Sequence, residues 1–344
     1  MWFELGAEFA SRGHDVVHVS RQCDGLRDDE VLRGVRHLRV PGGNRPRSMA
    51  RGLWLDFLYT RRAVRRAPDA DVTVTNTFWA PALLRPRHGA IYVDVQRMPK
   101  GQMRLYRRAA RLRANSTAVS SAILAEAPAF AEHVRVIPNP LPFVPEHAVD
   151  WSRKTKTILF AGRLHPEKGI ELLLEAWLLR RKSGRFAGWR LELVGPVNVS
   201  EGGGGEKWLD AVRTRIPSTE VTWHVPIYDV AQLNALYERA AVFAYPSLAV
   251  KGETFGLAVL EAMAWGAVPV VSGLACFRDF VAEGQNGFFF DHTSGLAAGS
   301  LGNSLDRAAQ PEARAVAERA VGVRATHSCS SIATKFLEDF ATLI

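Results

Sequence analysis

The sequence predicts an α/β protein built from two doubly wound domains, and three observations carry that prediction. Short apolar runs of strand length alternate with helical stretches along the chain. That rhythm builds parallel sheets with helices on both faces. At 344 residues the chain has the length of two ordinary domains. A proline-rich stretch, Pro138-Asn139-Pro140-Leu141-Pro142, interrupts the rhythm near the middle and marks the junction.

Taken in order, Trp2 to His14 reads as an amphipathic helix that stops at Gly13. Asp15–Ser20 and Val35–Val40 follow as strands. Ser48–Arg66 is helical, with Leu53, Leu55, Phe57, Leu58 and Val64 toward a core and Arg61, Arg62, Arg65 and Arg66 toward water. Val72–Asn76 and Ala90–Val95 are strands. A basic run with Arg107, Arg108, Arg111 and Arg113 comes next, and Thr117–Ser121 and Val134–Ile137 complete the alternation. Beyond the polar stretch Asp150–Lys156, strands are expected at Lys156–Ala161, Arg190–Pro196, Val221–Pro226, Ala240–Ser247, Ala267–Ser272 and Asn286–Asp291. Helices are expected at Ile170–Trp177, Gly256–Trp265 and Ser330–Leu343. The four glycines Gly202–Gly205 lack the Lys-Ser/Thr of a phosphate-binding P-loop, so they read as a flexible loop. The expected domains are residues 1–145 and 146–325, with a terminal helix over 326–344.

The chemistry concentrates in Lys251-Gly252-Glu253-Thr254-Phe255-Gly256-Leu257-Ala258-Val259-Leu260-Glu261. It joins a buried strand to an apolar helix, so free backbone N–H groups and a positive dipole end point into the turn, where a diphosphate fits. Gly256 lets the backbone approach an anion closely. Glu261, inside the helix, needs a partner if it faces the core. A ribose diol would serve. In the turn Gly162-Arg163-Leu164-His165-Pro166-Glu167-Lys168-Gly169, Arg163 and Lys168 place two cations after a strand, suited to two phosphates. Taken one at a time, these stretches also read as an ordinary strand–helix loop and a basic surface turn.

Together these two stretches resemble the E-x7-E signature and the Gly-Arg-Leu…Lys-Gly element of the retaining, nucleotide-sugar-dependent glycosyltransferases of the GT-B class, known as family four or group 1. The resemblance is specific between about residues 156 and 290. It implies two Rossmann-like domains facing a cleft, with the terminal helix crossing back to the first. It implies sugar transfer from a nucleoside diphosphate sugar with retention of anomeric configuration, and no metal or other cofactor. Catalysis falls to Glu253, Arg163 and Lys168, with Glu253 on the donor sugar hydroxyls. Gly162, Arg163, Lys168, Thr254, Phe255, Gly256 and Leu257 hold the diphosphate, and Glu261 holds the ribose. The pattern is broken at Pro226, where the family has a Gly near the base, and at Asn76, near a place where relatives carry a His. The helix at Trp2 corresponds to the family's first crossover. A strand and a glycine-rich loop are therefore expected upstream of Met1, and the strands Asp15–Ser20 and Val72–Asn76 should otherwise face an empty slot or close on each other.

Composition, at 47% hydrophobic and 23% charged, is that of a globular protein. The start lacks the basic region of a signal peptide, and no apolar run reaches membrane-span length. Cys23, Cys276 and Cys329 are far apart, in no metal spacing, and read as reduced cytoplasmic thiols. The net charge of +9 is uneven: residues 1–150 hold 23 basic and 15 acidic residues, a net of +8, and residues 33–113 hold 19 and 4. An Arg-rich solvated surface explains this. So does attraction to an anionic membrane face carrying a lipid-linked or small-molecule acceptor. A nucleic-acid partner is not expected, because no helix-turn-helix, zinc-finger or RNP pattern is present. An inactive sugar-nucleotide-binding remnant, or another GT-B-like enzyme such as a nucleotide-sugar epimerase or a phosphorylase, is the alternative reading.

Overall fold

The computed structural model describes all residues except 45, 47, 218 and 219. The chain divides into two compact units. The first holds Met1–Pro140 together with His327–Ile344, and the second holds Leu141–Thr326.

In the first unit the order is α1 (Trp2–Ser11), β1 (Val17–Arg21), β2 (Asp29–Leu32), β3 (Val35–Val40), α2 (Met49–Arg66), β4 (Val72–Thr75), α3 (Ala80–Leu83), β5 (Ala90–Val95), β6 (Arg111–Ala114), α4 (Thr117–Glu126) and β7 (Val134–Val136). These strands form two sheets, one ordered β1-β3-β2 and the other β4-β5-β6-β7. β1 and β4 are edge strands of different sheets, so they do not close on each other. Every described residue of β4, and all of β1 but Arg21, is only half-buried. β2 runs antiparallel to β3, a departure from the all-parallel expectation. Its acidic start, Asp29-Glu30, hid it: Asp29 pairs with Arg36 of β3 at 2.7 Å.

The residues expected to complete the alternation at 117–121 form the start of α4 instead. Ser116 caps it by accepting from the Val119 N–H at 3.2 Å. The strand at this place is β6, Arg-Leu-Arg-Ala, drawn from the expected basic run. Arg113 is wholly buried and lies in register with Asp94 of β5. It binds Asp94 Oδ1 at 2.7 Å, the Ile137 carbonyl at 2.6 Å and Asn139 Oδ1 at 2.8 Å. The second oxygen of Asp94 accepts from Trp2 Nε1 at 2.8 Å and Gln96 Nε2 at 2.6 Å. A buried charge persists only when so fully paired. In α2, Leu53 and Trp54 face solvent rather than a core, and Thr60 is the helix's only fully buried residue.

The second unit holds β8 (Thr155–Ala161), α5 (Ile170–Lys182), β9 (Arg190–Val194), α6 (Glu206–Arg213), β10 (Val221–Trp223), α7 (Val230–Arg239), β11 (Ala240–Tyr245), α8 (Leu257–Ala264), β12 (Val268–Ser272), β13 (Phe288–Phe290), α9 (Ala297–Ala308), α10 (Ala313–Ala320) and α11 (Val323–Thr326). Its sheet is ordered β10-β9-β8-β11-β12-β13, and every neighbouring pair is parallel. The first strand, β8, is central. Chain order reverses between β8 and β11, and in such sheets ligands bind outside the carboxyl ends at that reversal.

The last helix, α12 (Cys329–Ala341), packs in the first unit. Its Phe336 joins Leu5 and Phe9 of α1 and Tyr92 of β5 in one apolar cluster. Burying each such side chain stabilises the unit by about 1.5–3 kcal/mol. Asp339 of α12 accepts from the Tyr92 hydroxyl at 2.9 Å and pairs with Arg111 at 2.9 Å.

Candidate functional site

The turn after β8 and the loop after β11 leave neighbouring strands at the reversal point. Gly169 sets their approach. It has a φ of +70°, and a Cβ there would lie 2.0 Å from the Pro246 carbonyl oxygen, so only glycine fits. The 3₁₀ turn Pro166–Lys168 thereby sits against the end of β11. The Leu248 N–H donates to the Glu167 carbonyl at 2.8 Å, and the Gly252 and Glu253 N–H groups fold back to the Ala249 carbonyl. Gly256, at φ +88°, turns the chain into α8 where a Cβ would meet the Phe277 ring at 2.4 Å.

This geometry brings Lys168 and Glu253 together although they are far apart in sequence. Lys168 Nζ lies 2.6 Å from Glu253 Oε2, and both residues are buried. Glu253 is thus not an exposed loop acid. The Tyr245 hydroxyl also hydrogen-bonds Glu253; burial, then the Glu253 charge, hold that phenol well above its ordinary pKa. Lys168 Nζ lies 5.4 Å from the centroid of the same ring.

Arg163 follows Gly162 in the same turn and is more exposed. Its guanidinium donates to Glu167 Oε1 at 2.7 Å and to the Gly202 carbonyl at 2.5 Å. The Gly202 carbonyl belongs to the glycine stretch expected to be a flexible loop. That stretch is instead tied down: the N–H groups of Gly203, Gly204 and Gly205 donate to the carbonyls of Asn198, Leu164 and Val197 at 2.8 Å each. A Cβ on Gly203 would lie 2.2 Å from the Val197 backbone, so the glycines permit close packing beside Arg163.

Thr254, Phe255, Gly256 and Leu257 lead into α8, with the Phe255 side chain buried and Leu257 partly exposed. The first N–H groups of a helix lack intrahelical acceptors and are available to an anion. Glu261 lies one turn further, in the interior of α8. Burial raises its pKa, and a hydrogen bond from the Tyr237 hydroxyl at 3.1 Å partly offsets that. The structure therefore pairs Lys168 with Glu253, places Arg163 beside Glu167, and gives Glu261 the partner its position demanded. Asn76 belongs to the first unit and is exposed just past β4.

Residues 155–301, which carry this arrangement, match the family described as Glycosyl transferases group 1. Over those residues, less than half of its length, the chain is similar to the group 1 glycosyl transferases. Over 159 residues it is 30% identical to phosphatidyl-myo-inositol mannosyltransferase of Mycolicibacterium smegmatis, covering 44% of this chain and 37% of that protein. Over 152 residues it is 30% identical to D-inositol 3-phosphate glycosyltransferase of Acidothermus cellulolyticus, covering 43% and 33%. The matched part thus spans about a third of these relatives' length. Among solved structures, sucrose-phosphate synthase from Thermosynechococcus elongatus superposes with a TM-score of 0.74 at 20% identity, over 99% of this chain and 92% of that one. Anabaena HepE, solved with UDP and glucose, gives 0.69 at 18% over 99% and 94%. These likenesses show the GT-B fold.

Sequence reasoning passed over two tyrosines that touch the two acids of the motif. The signal was present for both. Tyr245 ends the buried strand just before the motif, and Tyr237 lies near the end of the helix that leads into that strand; a buried Tyr hydroxyl nearly always has a polar partner. Glu167 was also passed over, although it sits only four residues after Arg163 in the same turn.

Proposed function

We propose that this chain transfers a glycosyl group from a nucleoside diphosphate sugar to an acceptor, with retention of anomeric configuration. The observation that carries the reading is the buried Lys168–Glu253 pair at the strand-order reversal, beside Arg163 and the start of α8. In this reading the diphosphate lies across Arg163, Lys168 and the backbone N–H groups of Phe255, Gly256 and Leu257. As the bond between the anomeric carbon and the phosphate oxygen breaks, negative charge gathers on the diphosphate. Preorganised cations and N–H groups stabilise that charge without reorganising. Glu253, held by Lys168 and Tyr245, aligns the donor sugar hydroxyls, and Glu261 accepts from the ribose. No step needs a metal ion. Incubation with a panel of nucleoside diphosphate sugars, with product anomers read by NMR, tests this. Turnover of at least one donor with retention is expected. Inversion, or no turnover and no binding of any donor, contradicts it.

Tyr237 extends the reading to pH. The Tyr237 hydroxyl opposes the burial that raises the Glu261 carboxyl pKa. Tyr237→Phe removes that opposition, so Glu261 stays protonated to a higher pH. Nucleotide affinity, which needs the carboxylate as acceptor, is lost as pH falls through this raised pKa. The acid limb of the affinity profile should therefore move to higher pH in Tyr237→Phe. An unmoved limb in titrations across pH argues against the ribose role.

The acceptor, in this proposal, is met at an anionic membrane face. Arg39, Arg111 and Arg113 are buried in pairs and drop out of the basic excess, but the arginines of α2 remain exposed. α2 also exposes Met49, Leu53 and Trp54 beside them, the composition of a helix lying in a membrane interface. Among the described residues no helix is long and apolar enough to cross a membrane. Flotation with anionic vesicles is expected at low salt and reduced at high salt, since each basic side chain near such a surface contributes about 1 kcal/mol. No flotation at either salt removes the membrane from the account.

A further inference from the structure

We propose that the first unit carries a phosphate-binding pocket of its own, separate from the donor site of the second unit. A depression of about 400 Å³ is lined by Phe57, Arg61, Val64 and Arg65 of α2, with Leu83, Arg85, Arg87 and His88 from the segment between β4 and β5. The α2 residues fall at helical spacing, so they form one stripe. Arg87 pairs with Asp69 at 2.8 Å and donates to the Val64 and Ala67 carbonyls. No side-chain hydrogen bond or ion pair joins Arg61, Arg65 or Arg85 to another described residue. Three unneutralised guanidinium groups therefore share one concavity.

An exposed arginine cluster alone is an ordinary solvated surface. His88 makes this one different. It is fully buried, and its Nδ1 accepts the Arg85 backbone N–H at 2.9 Å. Nδ1 thus carries a lone pair, and the ring proton of the neutral imidazole sits on Nε2. His88 lines the depression, and its Nε2 is a buried donor with no partner among the described residues. Leaving such a donor unmade is costly, and native structures rarely do so without cause. An anion in the pocket would accept from Nε2 and neutralise the arginines at once. Planar guanidinium forks match phosphate oxygens two at a time. Phe57, Val64 and Leu83 supply an apolar wall for whatever the phosphate is esterified to.

The location separates this pocket from acceptor chemistry. Arg87 and His88 stand immediately before β5, and Arg61 and Arg65 lie toward the end of α2, which leads into β4. The pocket therefore adjoins the amino ends of these strands, whereas substrates of doubly wound sheets lie at the carboxyl ends. A phosphate ester bound here would act as a second ligand: the headgroup of a phospholipid or a soluble phosphate ester.

The test titrates the full chain with inorganic phosphate, with glycerol 3-phosphate, and with vesicles containing phosphatidylglycerol, against chloride at matched ionic strength. Histidine side-chain NMR is recorded alongside. Saturable binding of the soluble phosphates that shifts the His88 Nε2–H signal and weakens about tenfold or more in Arg61→Gln/Arg65→Gln is the expected result. The same pattern with vesicles alone also supports the site and assigns its ligand to lipid. Binding that the double substitution leaves unchanged, or a His88 signal unmoved by every ligand, overturns the proposal. Because the readouts are binding and a resonance in the first unit, they stand apart from donor turnover in the second.

Discussion

Lys168→Ala is expected to destabilise the second unit by about 3–5 kcal/mol, because it strands the Glu253 carboxylate in a buried site. Thermal unfolding should show this as a fall of roughly 10 °C in the transition of that unit. The same variant should lose nucleotide affinity, but the loss would be entangled with the damaged fold. Lys168→Met/Glu253→Leu separates the two. Replacing both charges with apolar groups of similar size often restores stability. In the double variant the melting temperature should recover most of the way while nucleotide binding and turnover stay lost. Recovery of turnover along with stability would reduce the pair to a structural contact.

Arg113→Leu should cost the first unit a similar amount, about 3–5 kcal/mol, and Arg104→Ala almost nothing. Both arginines belong to the same basic stretch. Arg104 is exposed, whereas Arg113 sits across from Asp94 with no solvent exposure and three hydrogen bonds of its own. Chemical denaturation of the two variants side by side checks the contrast. Equal midpoints would mean that the pair contributes nothing net.

That contrast also shows where the sequence misled. Arg-Leu-Arg-Ala alternates as a strand does, with both arginines on one face. A local reading scores the charges as surface, because the acids that pair with them lie elsewhere: Asp94 on the preceding strand and Asp339 in the last helix. For the same reason Asp29-Glu30 hid β2, whose acids answer arginines of β3. Long-range pairing leaves no periodic trace. In α2 the Leu53 side chain was counted with a core that never reaches it. By contrast, the six strands of the second unit and its helices α5 and α8 were legible, whereas α6, α7, α9, α10 and α11 were not read. Its strands are apolar runs ended by Gly or Pro, and its chemistry sits on turns whose backbone demands glycine at 169 and 256. The motif residues were readable from type and spacing. Their pairing was not, since the 2.6 Å contact of Lys168 with Glu253 depends on Gly169 seating one loop on Pro246 of another.

The central claim is that the turn after β8 and the start of α8 hold a nucleoside diphosphate. Arg163→Ala tests it most directly, because Arg163 is partly exposed, its partner Glu167 is equally exposed, and its removal strands no buried charge. Calorimetric titration of uridine, guanosine and adenosine diphosphates into the parent chain and the variant is the measurement. A charge-assisted hydrogen bond contributes about 1.5–3 kcal/mol, so affinity for the preferred diphosphate should fall about 10- to 100-fold with an unchanged melting temperature. Undiminished affinity in Arg163→Ala, or no diphosphate bound by the parent chain, would contradict the account.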